Sequence, residues 1–196
     1  MIIGFGYKAG VGKTTSAKYL RENYGFEILS FAAPLKDAVK EMFSWTDEHV
    51  YGSKKLIEDD FWGVTPGRAM QLFGTELMRQ RFGQLMTEQG HWPESERDNF
   101  WLKAAEARML TMGPNIVFDD VRFPNEADAI RRWGGIIVKI HRDPIYDGRD
   151  PNHPSETSLD GYEDWDWQIQ NTGTVEELYE VLETIHASTQ EATGAV

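Results

Sequence analysis

The chain has 196 residues, no cysteine, and 20 Lys and Arg against 32 Asp and Glu, a formal net charge of −12; disulfides and thiolate metal sites are excluded. The charge is unevenly placed, since residues 1–142 hold 19 acids and 19 bases whereas 143–196 hold 13 acids and one base, Arg149. That field argues against polymeric nucleic acid or an anionic membrane as a partner, no apolar run reaches membrane-spanning length, and a local phosphate pocket in the balanced part stays compatible.

In chain order, the apolar run 2–6 predicts a strand covered on both faces. It leads into Gly6-Tyr7-Lys8-Ala9-Gly10-Val11-Gly12-Lys13-Thr14-Thr15, the pattern of a Walker A loop. Such a loop needs glycines where side chains would collide with phosphates, and it ends at the positive end of a helix. Lys13 is expected to reach the β- and γ-phosphates and Thr14 to help hold Mg²⁺. One position departs from the pattern: five residues before Gly12 stands Tyr7, not glycine. A helix over 12–24 stops at Gly25, and 26–31 predicts a second strand. Pro34 opens a helix through Phe43, whose Lys36 either meets a phosphate or stays in solvent.

The stretch 46–64 reads as irregular. Thr65-Pro66 then begins a helix in which Arg68, Gln71, Thr75 and Arg79 recur at a spacing of three to four. One face with two guanidiniums suits an acceptor phosphate and a base edge; a solvated arginine helix fits the spacing equally well. Ser95 and Asp98 precede a helix over 99–112, whose Trp101 serves either stacking or core packing. The run 115–119 predicts a third strand, ending in Asp119-Asp120-Val121-Arg122. Carboxylates at the end of a parallel strand sit where open α/β sheets bind ligands and metal, and Arg122 is placed to clamp a phosphoryl group. Capping or surface ion pairing is the plainer reading of the same three side chains.

Pro124 opens a helix over 125–133, which Gly134-Gly135 ends, and 135–141 predicts a fourth strand. An irregular stretch, 143–166, contains His153-Pro154-Ser155-Glu156; its Glu156 is a candidate ligand contact or a solvated acid. A fifth strand, 167–170, precedes a capping box of Thr174 and Glu177 and a last helix. Strands alternating with helices predict a parallel sheet with right-handed crossovers. The mostly helical gap between the second and third strands is too long for one crossover and predicts a substrate-binding insertion. No Ser-His-Asp order stands out for nucleophilic catalysis.

These blocks resemble the deoxynucleoside monophosphate kinases of tailed bacteriophages. The resemblance rests on residues 6–15, on Phe-Ala-Ala-Pro-Leu-Lys (31–36), and on Thr-Pro-Gly-Arg…Leu-Phe-Gly-Thr-Glu…Arg (65–79). It continues in Asp-Val-Arg-Phe-Pro-Asn-Glu-Ala (120–127), His-Pro-Ser-Glu (153–156) and Ile-Gln-Asn-Thr-Gly-Thr (169–174). It implies one P-loop kinase domain, a three-layer α/β/α fold with a five-stranded parallel sheet ordered 2-3-1-4-5. The core would be 1–33, 113–142 and 167–196, with a helical acceptor-binding insertion at about 34–112 and a lid at about 143–166.

The implied reaction is ATP + dNMP → ADP + dNDP with Mg²⁺. Lys8, Gly10, Val11, Gly12, Lys13, Thr14 and Thr15 would bind ATP, and Thr14, Asp119 and Asp120 would lie at the metal. Lys13 and Arg122 would act on the moving phosphoryl group, with Arg142 or Arg149 closing over it. Lys36, Arg68, Gln71, Thr75, Arg79, Trp101, Asn125 and Glu156 would surround the acceptor. The partners expected are ATP and a deoxynucleoside monophosphate, in the cytoplasm of a host if phage-encoded, with monomer and homodimer both open. Another small-molecule P-loop kinase, of dephospho-coenzyme A or phosphomevalonate type, and a non-catalytic nucleotide switch are the competing readings.

Overall fold

The apolar run Ile2–Gly6 forms strand β1 at the centre of a sheet in this computed structural model, which describes residues 1–143 and 150–194. The other strands are β2 (Glu27–Leu29), β3 (Ile116–Val121), β4 (Ile136–His141) and β5 (Trp167–Gln170). All four pairings are parallel, in the order β2-β3-β1-β4-β5. The chain is therefore an α/β protein with the strand order that the resemblance implies.

Burial on both faces explains why β1 is apolar without alternation. Ile3 and Phe5 point into a core with Ala17 and Leu20 of helix α1 (Lys13–Tyr24) and Leu178, Leu182 and Ile185 of helix α9 (Val175–Gly194). Gly4 points the other way, where a Cβ would lie 2.6 Å from Ile130 of helix α7 (Pro124–Arg132). Helices on the two faces of one sheet make three layers. The predicted terminal signals are in place: Gly25 ends α1 at φ 70°, and Thr174 and Glu177 exchange hydrogen bonds of 2.9 and 3.2 Å before α9.

By contact the described chain falls into two units. One gathers Met1–Ser30 with the described parts of Met112–Ile145 and Ser158–Val196, and holds the sheet. The other, Phe31–Thr111 with the described part of Tyr146–Thr157, is helical. It contains α2 (Ala33–Phe43), α3 (Asp47–Val50), α4 (Pro66–Gln71), α5 (Gly83–Glu88), α6 (Phe100–Met109) and α8 (Pro154–Thr157). The stretch 46–64, expected to be irregular, holds α3 and a 3₁₀ turn, Ser53–Leu56.

The largest difference from expectation lies between α4 and α5. Leu72–Phe82 is a π-helix, so one continuous helix runs from Pro66 to Glu88 with a wider turn in its middle. Two glycines bring this helix against its neighbours. A Cβ on Gly74 would come within 2.8 Å of Leu35, and one on Gly83 would overlap the carbonyl oxygen of Arg97. The Trp101 indole N–H donates to the Gly74 carbonyl at 2.9 Å and ties α6 to the widened turn.

Because backbone abuts backbone at Gly83, Gly83→Ala is expected to cost about 1–3 kcal/mol of stability through overpacking. Urea denaturation measures it, and a midpoint equal to that of the parent would show that the two backbones are free to separate.

Candidate functional site

The candidate residues fall into two groups, one in each unit. In the sheet unit, β1 ends in a turn whose backbone takes positive φ at Tyr7 (95°), Gly10 (73°) and Gly12 (110°). Positive φ is ordinary for glycine and strained for a bulky residue. Tyr7 therefore keeps the backbone conformation that the Walker A pattern would give to glycine. Its ring is held between the Lys139 ammonium, 4.4 Å from the ring centroid, and the His141 ring, 5.7 Å away. Burial raises the Tyr7 phenol above its ordinary pKa; Lys8 lowers it and Asp160 raises it further.

The loop is fixed from several sides. Lys13 is buried, and its ammonium donates to the carbonyls of Tyr7, at 3.0 Å, and Lys8. Asn171, just past β5, is buried and donates from Nδ2 to the Val11 carbonyl at 2.9 Å. A Cβ on Gly12 would stand 2.6 Å from that same Nδ2, so glycine is required there by space as well as by φ. Lys8 pairs with Asp160 at 3.1 Å. Gly12 caps α1 without a side-chain bond, and no acid occupies the first turn. A helix end of that kind favours an anion.

Facing α1, strand β3 carries an irregularity. Gly4 pairs with Phe118 but Gly6 with Val121, so β3 has one residue more than β1 over this interval. A bulge re-aims side chains, and here it lies at Asp119 and Asp120. The Asp119 carboxylate accepts from the Thr14 hydroxyl at 3.0 Å and, through its other oxygen, from the Ser30 hydroxyl at the end of β2. Three oxygen-bearing side chains thus meet at the C-terminal ends of two strands and the start of a helix. Hard oxygen donors of this kind fit Mg²⁺, which is held by one or two carboxylates plus phosphates rather than by a protein cage. The described residues contain no group of three or more His, Cys, Asp or Glu that could hold a metal ion.

Beyond the bulge, Glu126 is buried and accepts the backbone N–H groups of Arg122 (2.8 Å) and Phe123 (3.2 Å), which fixes the turn bearing Arg122. Asn125 lies in the first turn of α7, and Arg142 is exposed just past β4. Arg149 lies outside the described residues, as does 144–149 of the expected lid.

In the helical unit, Arg68 and Gln71 lie on α4, with Arg68 Nη1 3.5 Å from Gln71 Oε1. Thr75 and Arg79 belong to the π-helix and are buried; Arg79 donates to the Asp98 carbonyl at 3.2 Å. Of the two guanidiniums expected on one face, Arg68 is at the surface and Arg79 is inside. Lys36 sits over the Tyr51 ring at 4.4 Å. Glu156 is on α8, half-buried, and Trp101 is buried with its N–H committed to Gly74.

Ser30, Asn171, Asp160 and Glu126 escaped the sequence reading. Ser30 was within reach of the rule that ligands bind outside the carboxyl ends of strands. Glu126 closes a local capping box with the start of α7, a pattern three to four residues long, whereas Asn171 and Asp160 depend on contacts remote in sequence.

The family model described as deoxynucleotide monophosphate kinase matches residues 57–182. A putative deoxynucleotide monophosphate kinase of Acanthamoeba polyphaga mimivirus is 39% identical over 182 residues, 91% of this chain and 92% of the relative. An uncharacterized protein, ORF77, of Ictalurid herpesvirus 1 is 32% identical over 113 residues, 55% of this chain and 49% of its own. Among solved structures, TT1252 from Thermus thermophilus superposes with a TM-score of 0.51 at 17% identity, covering 96% of this chain and 97% of that one. That likeness concerns the fold alone. No helix among the described residues is long and apolar enough to cross a membrane.

The positive φ at Tyr7 makes a testable contrast. Tyr7→Gly loses the ring contacts but releases the strain, whereas Tyr7→Ala loses the contacts and keeps it. Glycine is expected to be the more stable variant by about 1–2 kcal/mol in thermal or urea unfolding. Equal stabilities would remove strain at this position.

Proposed function

The chain belongs to the deoxynucleotide monophosphate kinase family, and from that premise we propose how its residues transfer the γ-phosphoryl group of ATP to a deoxynucleoside monophosphate. The observation that carries the reading is the meeting of Thr14, Ser30 and Asp119 beside a loop whose backbone is shaped for phosphate. ATP is assigned to Lys8, Gly10, Val11, Gly12, Lys13, Thr14 and Thr15. Mg²⁺ is assigned to Thr14 and Asp119, with Asp120 beside them, and when bound it neutralises phosphate charge.

In the transfer an anionic oxygen of the acceptor phosphate attacks the γ-phosphorus while the bond to the β–γ bridging oxygen breaks and ADP leaves. That oxygen needs no strong general base, so positioning and charge neutralisation account for the catalysis. Lys13 is the group assigned to the moving phosphoryl oxygens. In this assignment it exchanges carbonyl contacts, those of Tyr7 and Lys8 among them, for phosphate, and its ammonium is already held at the loop. Arg122 and Arg142 are assigned to the same charge, with Arg149 retained from the sequence reading.

The acceptor is assigned to the helical unit. Arg68 and Gln71 offer donors at the surface, with Lys36 and Glu156 as further contacts. Thr75, Arg79 and Trp101 are assigned to shape that wall, since Arg79 Nη1 donates to the Asp98 carbonyl and the Trp101 indole to the Gly74 carbonyl. The viral origin of both relatives supports a viral gene acting in a host cytoplasm.

An ADP-release assay with ATP, Mg²⁺ and a panel of the four dNMPs, dUMP and modified pyrimidine monophosphates tests the reading. Turnover with at least one dNMP is expected; turnover only with dephospho-coenzyme A or phosphomevalonate would reassign the acceptor. Lys13→Ala is expected to lose more than about nine-tenths of kcat with the fold intact by circular dichroism, and a smaller loss would remove Lys13 from the phosphoryl group. Arg68→Ala is expected to raise KM for the monophosphate far more than KM for ATP.

A further inference from the structure

Arg68 stands in a polar network that the acceptor reading does not use. Its Nη2 is 3.8 Å from Glu76 Oε1, and the other oxygen of the same carboxylate, Oε2, is 3.6 Å from Nε2 of His153. His153 is only 4% exposed. Glu76 Oε2, His153 Nε2 and the amide nitrogen of Gln71 are each buried without a hydrogen-bond partner. Buried polar atoms in that condition require an explanation, because each carries a desolvation cost.

The ring of His153 is oriented by its own turn. The Ser155 N–H donates to Nδ1 at 3.1 Å, with the Ser155 hydroxyl 2.9 Å from the same nitrogen. A filled Nδ1 places the neutral ring's proton on Nε2, the atom that faces Glu76. The imidazole thus presents a donor to one carboxylate oxygen, and the other oxygen faces the guanidinium.

The helix geometry makes this meeting possible. Eight α-helical steps of about 100° would leave Glu76 roughly 80° round the axis from Arg68. Glu76 lies within the π-helix, where an i→i+5 turn advances only about 80° per residue. With the last half of the interval at that pitch, the two side chains fall nearly in line. Gln71, also on α4, takes the other η nitrogen of Arg68 at 3.5 Å.

We propose that Glu76, held by His153, is a positioning residue that aims the Arg68 guanidinium at the acceptor phosphate. A free arginine has four side-chain torsions whose freedom is lost on binding. A carboxylate on one nitrogen and an amide on the other restrict the fork beforehand and leave its remaining N–H groups for phosphate. The two gaps at Glu76, 3.8 Å to Arg68 and 3.6 Å to His153, exceed a hydrogen bond by a few tenths of an ångström, so a small shift of the carboxylate closes either one. The inference rests on Arg68 being an acceptor ligand.

The test is a double-mutant cycle, read as KM for whichever of dAMP, dCMP, dGMP and dTMP turns over fastest, and as KM for ATP. Glu76→Gln is expected to raise the dNMP KM about five- to tenfold with KM for ATP and the melting temperature unchanged. In an Arg68→Ala background the same substitution is expected to add less than about twofold. His153→Asn, which keeps an acceptor for the Ser155 N–H but loses Nε2, is expected to behave as Glu76→Gln, and His153→Gln, which restores a donor at that distance, to recover most of the loss. Effects of Glu76→Gln that persist undiminished without Arg68, or that fall equally on ATP, overturn the positioning role. If Arg68→Ala itself fails to act selectively on the dNMP, the acceptor assignment fails instead.

Discussion

The reversal of the chain between β1 and α1 is the constraint from which the rest of the sheet unit follows. Positive φ at residues 7, 10 and 12 turns the backbone so that the carbonyls of Tyr7 and Lys8 point at the Lys13 ammonium. A turn with that geometry is not self-supporting, because one of its three residues is a tyrosine in a conformation that costs of order 1–3 kcal/mol. It is held from outside. Ile3 and Phe5 anchor β1 in the core, Asn171 holds the Val11 carbonyl, and Lys139 and His141 flank the Tyr7 ring. Strain maintained by so many contacts is the pattern of a functional loop rather than of an accident of packing.

Charge is handled with similar economy. The Asp119 carboxylate faces the start of α1 through a hydroxyl, and a second hydroxyl, that of Ser30, takes its other oxygen. Both of these partners are neutral hydroxyls. The acidic surplus of 143–196 is for the most part turned elsewhere: α9 carries Glu176, Glu177, Glu180 and Glu183 at exposed or half-buried positions, and Glu183 bonds the Tyr19 hydroxyl at 2.6 Å. Among the described acids of that stretch, Asp160 reaches Lys8 in the turn between β1 and α1. A chain of net charge −12 is thus compatible with a polyanionic ligand, since Asp119 and Asp160, beside the loop, are each bonded to a donor.

The strands and the glycine-bearing turn between β1 and α1 were legible because each depends on residues adjacent in sequence. Apolar runs covered on both faces, Gly10 and Gly12 ahead of Lys13, and Gly25 after α1 all act locally. Tyr7 was visible as a departure, but only the backbone shows that it keeps a glycine-like φ. Apart from Glu126, what escaped is non-local. Asn171 meets Val11 across 160 positions, and Ser30 meets Asp119 across 89. The bulge that aims Asp119 depends on the mismatch of β3 with β1, which neither strand shows alone.

The arginine face of the helical unit shows a third kind of failure, one of pitch. A spacing of three to four residues places Arg68, Gln71, Thr75 and Arg79 on one stripe only if every turn has the α-helical 3.6 residues. From Leu72 the turn widens, and the stripe divides: Arg68 stays at the surface while Thr75 and Arg79 turn inward. Glycine makes the widening tolerable, since Gly74 and Gly83 let Leu35 and the Arg97 carbonyl approach the helix. Long π-helices are rare because their hydrogen bonds and axial packing are poor, and π-turns gather at functional sites. Here the widened turn brings Glu76 beside Arg68 and buries a second arginine against Asp98. A stretch that returned to α-helical pitch would move Glu76 away from Arg68 without changing a single residue, so the pitch of this helix, and not the residues alone, determines which cation is presented.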